Sequence, residues 1–519
     1  MGNYPNIILQ SNCIFPATGE AAYSGYVAIN EDRISALGSG SIPQELIGPD
    51  TKIIPCGDAT ILPGASDVHC FFTGYSVGFV GVNLENAENI AGVLNMVSAY
   101  AKQVPEDKPI LGHGIKASVA LPPDTKWLDK VYGDRPVILF EEGCETCYMS
   151  KSAKAKYDFT PETCYPEAYV RLLPEILTDR AFILPEFKKY MHMMNSKGIT
   201  SVKEMGFDDF YGFTDLLEEL EKDHALTCRI HFMSQPVGKP FDINYGKAMR
   251  DRFQSEFVRF SGYNQMTDGS ISQLCGDLKQ PYLCADTTCA QSIPWETLRQ
   301  DALCADQEGF RFSLHAQGDA AISKVLDIYE ECLRDEQGKL VNRHSITDLE
   351  FSDPADLERM GKLGVIAEIY PQIQSIADRE GKIAMIEEKI GPERGAFYWN
   401  RRKMADSDVL LSCGTDLPLL IDNIPESIYH AVGGFFPEGG PAFNEQNMLT
   451  REELLTAWTK GGAYNLYRET ELGTLEVGKK ADIAVFSGNL LTTPLETIRS
   501  IHTTMTFVNG QKVYDAKEN

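Results

Sequence analysis

The sequence predicts an α/β fold: a TIM-like (β/α)8 barrel with a small β domain assembled from the two chain ends. Three observations lead there. The length, 519 residues, exceeds what one ordinary hydrophobic core accommodates but suits a barrel plus a small domain. Both ends carry the same short-strand texture. Between them, short apolar strands alternate with helical stretches, the pattern of a parallel sheet.

Each part can be justified in turn. Near the N-terminus, "GYVAINEDRISALG" (25–38) alternates apolar and polar residues with Gly, Asn and Asp punctuation, as hairpin strands do. "ADIAVFSGNLL" (481–491) and "TTMTFVNGQKVY" (503–514) read the same way, and Asn509-Gly510 is a two-residue hairpin turn. Residues 1–63 and 475–519 are therefore expected to form one composite β domain. Residues 64–474 are expected to form the barrel, with an inserted α/β segment around 76–190. Its strands include "GITSVKEMG", "TCRIHFMS", "FRFSLHAQGD" and "VLLSCGTDLP", interleaved with helices such as "AISKVLDIYEECLRD"; "KPILGHGI" and "RPVILFEEG" share their texture. Barrel enzymes carry reactive groups at the carboxyl ends of the strands. His69, Glu142, Glu204, His315 and Asp416 fall at such ends.

Composition excludes several classes of function. A formal charge of −26 opposes a phosphate-backbone partner, which calls for a basic stripe. No apolar run approaches the roughly 18 residues that span a bilayer, and "MGNYPNIILQ" has neither a basic nor a long apolar leader region, so cytoplasm is the expected compartment. The 13 cysteines are odd in number and irregularly spaced, which fits reduced thiols. "CETC" (144–147) has no second CxxC with which to complete a four-thiolate site, and reads as a chance pairing.

The stretch "ILPGASDVHCFF" (61–72) sets Asp67 and His69 at the end of an apolar strand, after a Pro-Gly break. Two titratable groups in a buried strand point to a metal or active site, the alternative being a hydrogen-bonded core histidine. In "LSCGTDLP", Asp416 occupies a strand end where a general base would sit.

Four pieces in order, "ILPGASDVH", "FSLHAQGDAAISKVLDIYE", "GTDLPL" and "LGTLEVGKKADIAVFSG", resemble the amidohydrolase superfamily, in particular its long branch that includes N-substituted formamide deformylases (amidohydrolase family 3). The resemblance runs nearly end to end. It implies a metal-bearing barrel with a small β-sandwich contributed by both termini. It also implies a ligand set: an HxH pair after strand one, a carboxylated lysine or other carboxylate midway, a histidine on each of strands five and six, and an aspartate after strand eight. Here His69, His315 and Asp416 match. Phe71 replaces the second histidine, Asn264 replaces the lysine, and "RHSITD" puts Asp348 at the strand-six position. One divalent ion is therefore expected in place of two. A set of two imidazoles and two carboxylates leans from zinc toward manganese or iron.

Weaker candidates for substrate contact or support are His113, Glu142, Glu204, His231 and Asn264, with Glu175 and His344 expected to be structural. The resemblance implies a hydrolase in which a metal-activated water attacks an sp2 carbon of a small amide, formamide or cyclic amide, with Asp416 moving the proton. The alternatives are ring-opening carbon–carbon hydrolysis of a cyclic diketone such as dihydrophloroglucinol, and a ligand-binding homologue without turnover. The expected partners are a small-molecule substrate and a second copy of the chain in a homodimer.

Overall fold

The computed structural model describes residues 4–116, 118–119, 121–142, 146–161, 164–206, 212–236, 239–420 and 423–518. Eight parallel strands form the central sheet: β1 (Ala65–Cys70), β2 (Ile199–Glu204), β3 (Arg229–Ser234), β4 (Val258–Met266), β5 (Phe312–Ala316), β6 (Ser345–Asp348), β7 (Ile366–Ile369) and β8 (Leu410–Cys413). Each pairs with its neighbour in sequence order, so the sheet curls round until its two edges meet. The seam is closed just past β8. There the Asp416 N–H donates to the His69 carbonyl at 2.8 Å, and the Phe71 N–H donates to the Leu417 carbonyl at 2.9 Å.

Strands covered on both faces have little room for polar alternation, and β5 is buried at every position. The helix that follows it, α1 (Asp319–Glu330), places Ile322, Val325, Leu326 and Tyr329 on one stripe at helical spacing and buries all four. The next helix, α2 (Pro354–Leu363), begins with Asp353 accepting from the Ala355 N–H, has Pro354 in its first turn, and ends at left-handed Gly364. Truncating a core contact such as Leu326 to Ala costs about 2–5 kcal/mol.

Strands from both chain ends share a second sheet of eight, in which Thr60–Pro63 pairs with Ile7–Ile14 on one side and with Ile483–Phe486 on the other. Leu9, Ile14, Ile61, Ile483 and Phe507 make its own core. Leu62, Ala484 and Phe486, on the opposite face, join the main core of the barrel.

A third sheet of four strands contains Val82–Asn83, Ile110–Ile115, Val137–Glu141 and Cys147–Met149. This corrects one expectation. "KPILGHGI" and "RPVILFEEG" have the texture of barrel strands but form this separate sheet, so Glu142 is not at a barrel strand end. The reason is local: a parallel βαβ unit has the same apolar signature in either sheet. Cys13, Cys70, Cys228, Cys332 and Cys413 are buried free thiols. Cys144 of "CETC" lies outside the described residues. Among the described residues, no helix is long and apolar enough to cross a membrane.

Candidate active site

A cavity of about 700 Å³ opens at the carboxyl ends of the barrel strands; His69, Phe71, Asn264, His315, Asp348 and Asp416 line it. The side chains reach it from β1, β4, β5, β6 and the turn after β8, so closure of the barrel brings distant segments together.

His69 is buried near the end of β1. Its Nδ1 lies 3.3 Å from Oε2 of Glu368 on β7. Lys203 of β2 donates to the other Glu368 oxygen, and also to Asn465 Oδ1 at 2.9 Å. Burial pushes the Glu368 carboxyl up, but Lys203 and His69 together hold it well below the usual carboxylate range. Burial likewise pulls Lys203 down, to about 8, against the attraction of Glu368. An ionised Glu368 takes the His69 Nδ1–H and leaves Nε2 as a lone pair, the arrangement that prepares imidazole as a ligand. That Nε2 faces Asp416 Oδ1 at 3.7 Å.

Asp67 works beneath this pair. It accepts from the Thr415 N–H at 3.1 Å, the Thr415 hydroxyl at 2.6 Å and the His69 N–H at 3.2 Å, tying β1 to the turn that carries Asp416. Burial raises its pKa to about 7. Gly414 is required by the same close approach: a Cβ there would stand 2.7 Å from the His69 Cβ. Asp416 is reached by solvent over 26% of its side chain, but that surface faces the walled cavity. Burial, then the neighbouring Asp348 and Asp67 carboxylates, raise its pKa well above the ordinary carboxylate value.

Opposite lies a second pair, with His315 Nε2 3.4 Å from Asp348 Oδ2. Asp348 also accepts from the Tyr370 hydroxyl and from Gln317 Nε2, each at 3.3 Å. His315 Nδ1 is 3.8 Å from Asp268 Oδ1 and is a buried nitrogen without a hydrogen-bond partner. Asp268 is fixed by the N–H groups of Gln317, Gly318 and Asp277 at 2.8–2.9 Å. Asp348, Leu349, Trp399 and Asp416 all line the cavity with left-handed backbone, φ from 49° to 72°. Such conformations persist only where the surroundings impose them.

The four cavity residues thus stand as two His–Asp pairs. No three of them bring ligand atoms within 4.8 Å of one another, whereas Asp306, Cys332 and His344 do. In that second cluster, however, His344 Nδ1 accepts the Phe312 N–H at 3.0 Å, so Nε2 carries the proton and donates to Asp306 Oδ1 at 3.0 Å. Asp306 accepts further from the Leu333 N–H and from Asn342 Nδ2, each at 2.7 Å. That cluster is satisfied by hydrogen bonds.

The remaining expected residues separate clearly. Asn264 lines the cavity, donates to Gln235 Oε1 at 2.8 Å and leaves its own Oδ1 unpaired. Phe71 packs edge-on against the His69 ring at 5.5 Å. Glu204, at the end of β2, accepts from the Phe72 N–H at 2.8 Å and from the Tyr190 hydroxyl; burial raises it to about 8. His231 bonds Ser261 Oγ at 3.1 Å, and burial, with Arg468, Arg259, Arg311 and Lys203 around it, keeps it neutral. His113, on the four-stranded sheet, bonds the Val80 carbonyl, and Glu142 is exposed just past the strand Val137–Glu141. Glu175 accepts from the Tyr157 hydroxyl at 2.9 Å. Glu368, Lys203, Asp268 and Arg401 were not anticipated. Charge inside an apolar strand, alone in "VIAEIYP" and beside Glu204 in "SVKEMG", was the available signal for the first two.

Residues 52–514 match the model of the amidohydrolase family, and the chain belongs to that family. It is thus a hydrolase, and the family implies a divalent metal. It is similar to the protein YtcJ of Bacillus subtilis (strain 168), 22% identical over 94% of this chain and 96% of that one. It is also similar to the N-substituted formamide deformylase of Arthrobacter pascens, 20% identical over 94% of each. Among solved structures, a metal-dependent hydrolase of Pyrococcus horikoshii OT3 superposes with a TM-score of 0.73 at 18% identity, covering 94% of this chain and 99% of that one.

Proposed function

We propose that the chain hydrolyses a small amide, formamide or cyclic amide in the barrel mouth, with His69, His315, Asp348 and Asp416 holding one divalent ion. The observation that carries this reading is the opposed pair of His–Asp couples, each with an imidazole Nε2 within 3.4–3.7 Å of a carboxylate oxygen. The donor chemistry fits an ion. Glu368 orients His69 through Nδ1, and the unpaired His315 Nδ1 beside Asp268 awaits the same service once Nε2 is engaged. Two imidazoles and two carboxylates suit manganese or iron as well as zinc. When bound, the metal supplies positive charge that polarises a carbonyl and acidifies water.

The side chains do the rest. Asp416, facing His69 Nε2 and open to the cavity, takes the proton of the attacking water and returns it to the leaving nitrogen. Tyr370, whose hydroxyl reaches Asp348, holds that carboxylate in place and walls the site. Phe71 fills the space of a second ligand with an apolar ring. The similarity to an N-substituted formamide deformylase supports an amide-type substrate.

A second reading is ring-opening hydrolysis of a cyclic diketone. It is favoured by the rings of Phe71 and Tyr370, which pack against His69 at 5.5 and 5.4 Å and line the cavity with aromatic surface. The test is turnover by protein reconstituted separately with manganese, zinc and iron, on N-substituted formamides, cyclic amides and cyclic 1,3-diketones. Release of formate or an amine, or opening of a cyclic amide at its C–N bond, supports the first reading, and carbon–carbon opening of the diketone ring the second. Failure on every amide, with metal bound, rejects the first.

A further inference from the structure

Arg401 lies just past Trp399 in the segment between β7 and β8, is almost wholly buried at 2% exposure, and lines the same cavity. Other buried guanidinium groups pair with a carboxylate or commit all three nitrogens. Arg229 is held by both oxygens of Asp482, and Arg468 by Glu471. Arg311 commits its three nitrogens to Asn465 and the Arg343 carbonyl. Arg401 instead makes two long contacts to neutral oxygens, 3.2 Å to the Tyr370 carbonyl and 3.5 Å to Gln374 Oε1, and has no ion pair among the described residues.

A second donor stands beside it. The Trp399 ring lies 5.8 Å from the Arg401 guanidinium, lines the same cavity, and its buried Nε1–H has no acceptor. The other cation at the cavity, Lys382, is already paired with Glu350 at 3.0 Å. An unpaired indole N–H beside a buried guanidinium that has no ion pair among the described residues marks a place prepared for an anion. Burial pulls Arg401 down to about 10, and among the described residues no carboxylate pairs with it.

We propose that Arg401, with Trp399, anchors a planar anion that shares its charge between two oxygens, so that the substrate of this hydrolase is an acid held at one end by Arg401 while its reacting carbonyl faces His69 and Asp416. The fork of a guanidinium matches two such oxygens side by side. A carboxylate and the enolate of a 1,3-diketone present the same chemistry. The proposal rests on the hydrolase reading above for the other end of the substrate, but not for the anion site itself.

The experiment measures binding to metal-loaded protein of two anions, glutarate and 1,3-cyclohexanedione (an enolate at mildly alkaline pH), each against a neutral counterpart, glutaramide and cyclohexanone. At least one anion is expected to bind about 10- to 100-fold more tightly than its counterpart, and which one does so identifies the substrate as carboxylate or enolate. Arg401→Gln should abolish the preference and Arg401→Lys retain part of it. The same comparison on chelator-treated wild type covers a variant that fails to fold: preference surviving metal removal supports Arg401, and preference lost with the metal overturns the proposal. Equal binding of anion and neutral, or a preference kept in Arg401→Gln, also overturns it. Turnover of neutral amides without anion preference would leave the hydrolase standing and remove the anion site. Anion binding without turnover would do the reverse.

Discussion

Glu368 stands between two partners that need it for different reasons: its Oε2 lies 3.3 Å from His69 Nδ1, and its Oε1 accepts from Lys203. One carboxylate therefore neutralises a buried ammonium and fixes the tautomer of the imidazole that faces Asp416. None of the three side chains reaches bulk water.

Replacing Glu368 with Gln keeps an oxygen for His69 but strands Lys203. We expect metal affinity to fall about 10–100-fold and unfolding stability by about 3–5 kcal/mol. Adding Lys203→Met should recover much of the stability without recovering the metal. Metal titration and denaturant unfolding read the two effects separately, and unchanged metal affinity in Glu368→Gln would remove the positioning role.

Elemental analysis after growth in mixed metals should find about one divalent ion per chain, because Phe71 and Asn264 cannot serve as a second histidine and a carboxylated lysine. His69→Ala should lose the ion and the activity together. Two tightly held ions in wild type would refute a single-metal centre, and full activity without any ion would refute metal chemistry altogether.

Asp416→Asn keeps the size and one oxygen for coordination but removes the base. Metal should stay largely bound while turnover falls about 10²- to 10⁴-fold. Near-normal turnover would assign the proton to another group, with Asp348 the nearest in position.

Phe71→His restores the usual motif, yet the ring it removes shapes the pocket beside His69. The variant should change metal loading and lower turnover of the native substrate. A gain in that turnover would show that Phe71 is a defect and not an adaptation.

Glu204 gives a pH test. Its pKa rises from 4.5 unfolded to about 8 folded, so the native state keeps a proton that the unfolded state releases. Stability from this group is present at low pH and is lost as pH climbs from about 4.5 through about 8. Glu204→Gln should flatten that loss, narrowing the difference in unfolding midpoint between mildly acid and mildly alkaline buffer. An undiminished difference would mean that Glu204 ionises normally.

The barrel was legible because its evidence is repetitive: strand after strand of apolar residues with polar ends, and helices such as Asp319–Glu330 with one buried stripe. Asp348 was singled out because the resemblance places a ligand at its position, and His69, His315 and Asp416 because they sit at those ends. Glu142 misled for the same reason, since the four-stranded sheet writes an identical local signature. Glu368, Lys203 and Arg401 stayed hidden because their meaning is relational. A glutamate in a strand declares burial, but only the closed barrel shows that a lysine from β2 and a histidine from β1 meet on it. Arg401 is one arginine of an ordinary-looking "NRRK", told apart only by what it lacks.

The seam past β8 has a consequence for synthesis. Asp67 and Thr415 clasp across 348 positions of chain, and Asp416 meets His69 through main-chain bonds of the same closure. A ribosome-bound chain lacking this last strand and its turn has His69 but no Asp416 to face it. The pairing of His69 with Asp416 therefore comes into being only when the ring is shut, and no shorter polypeptide that ends before the seam can hold it.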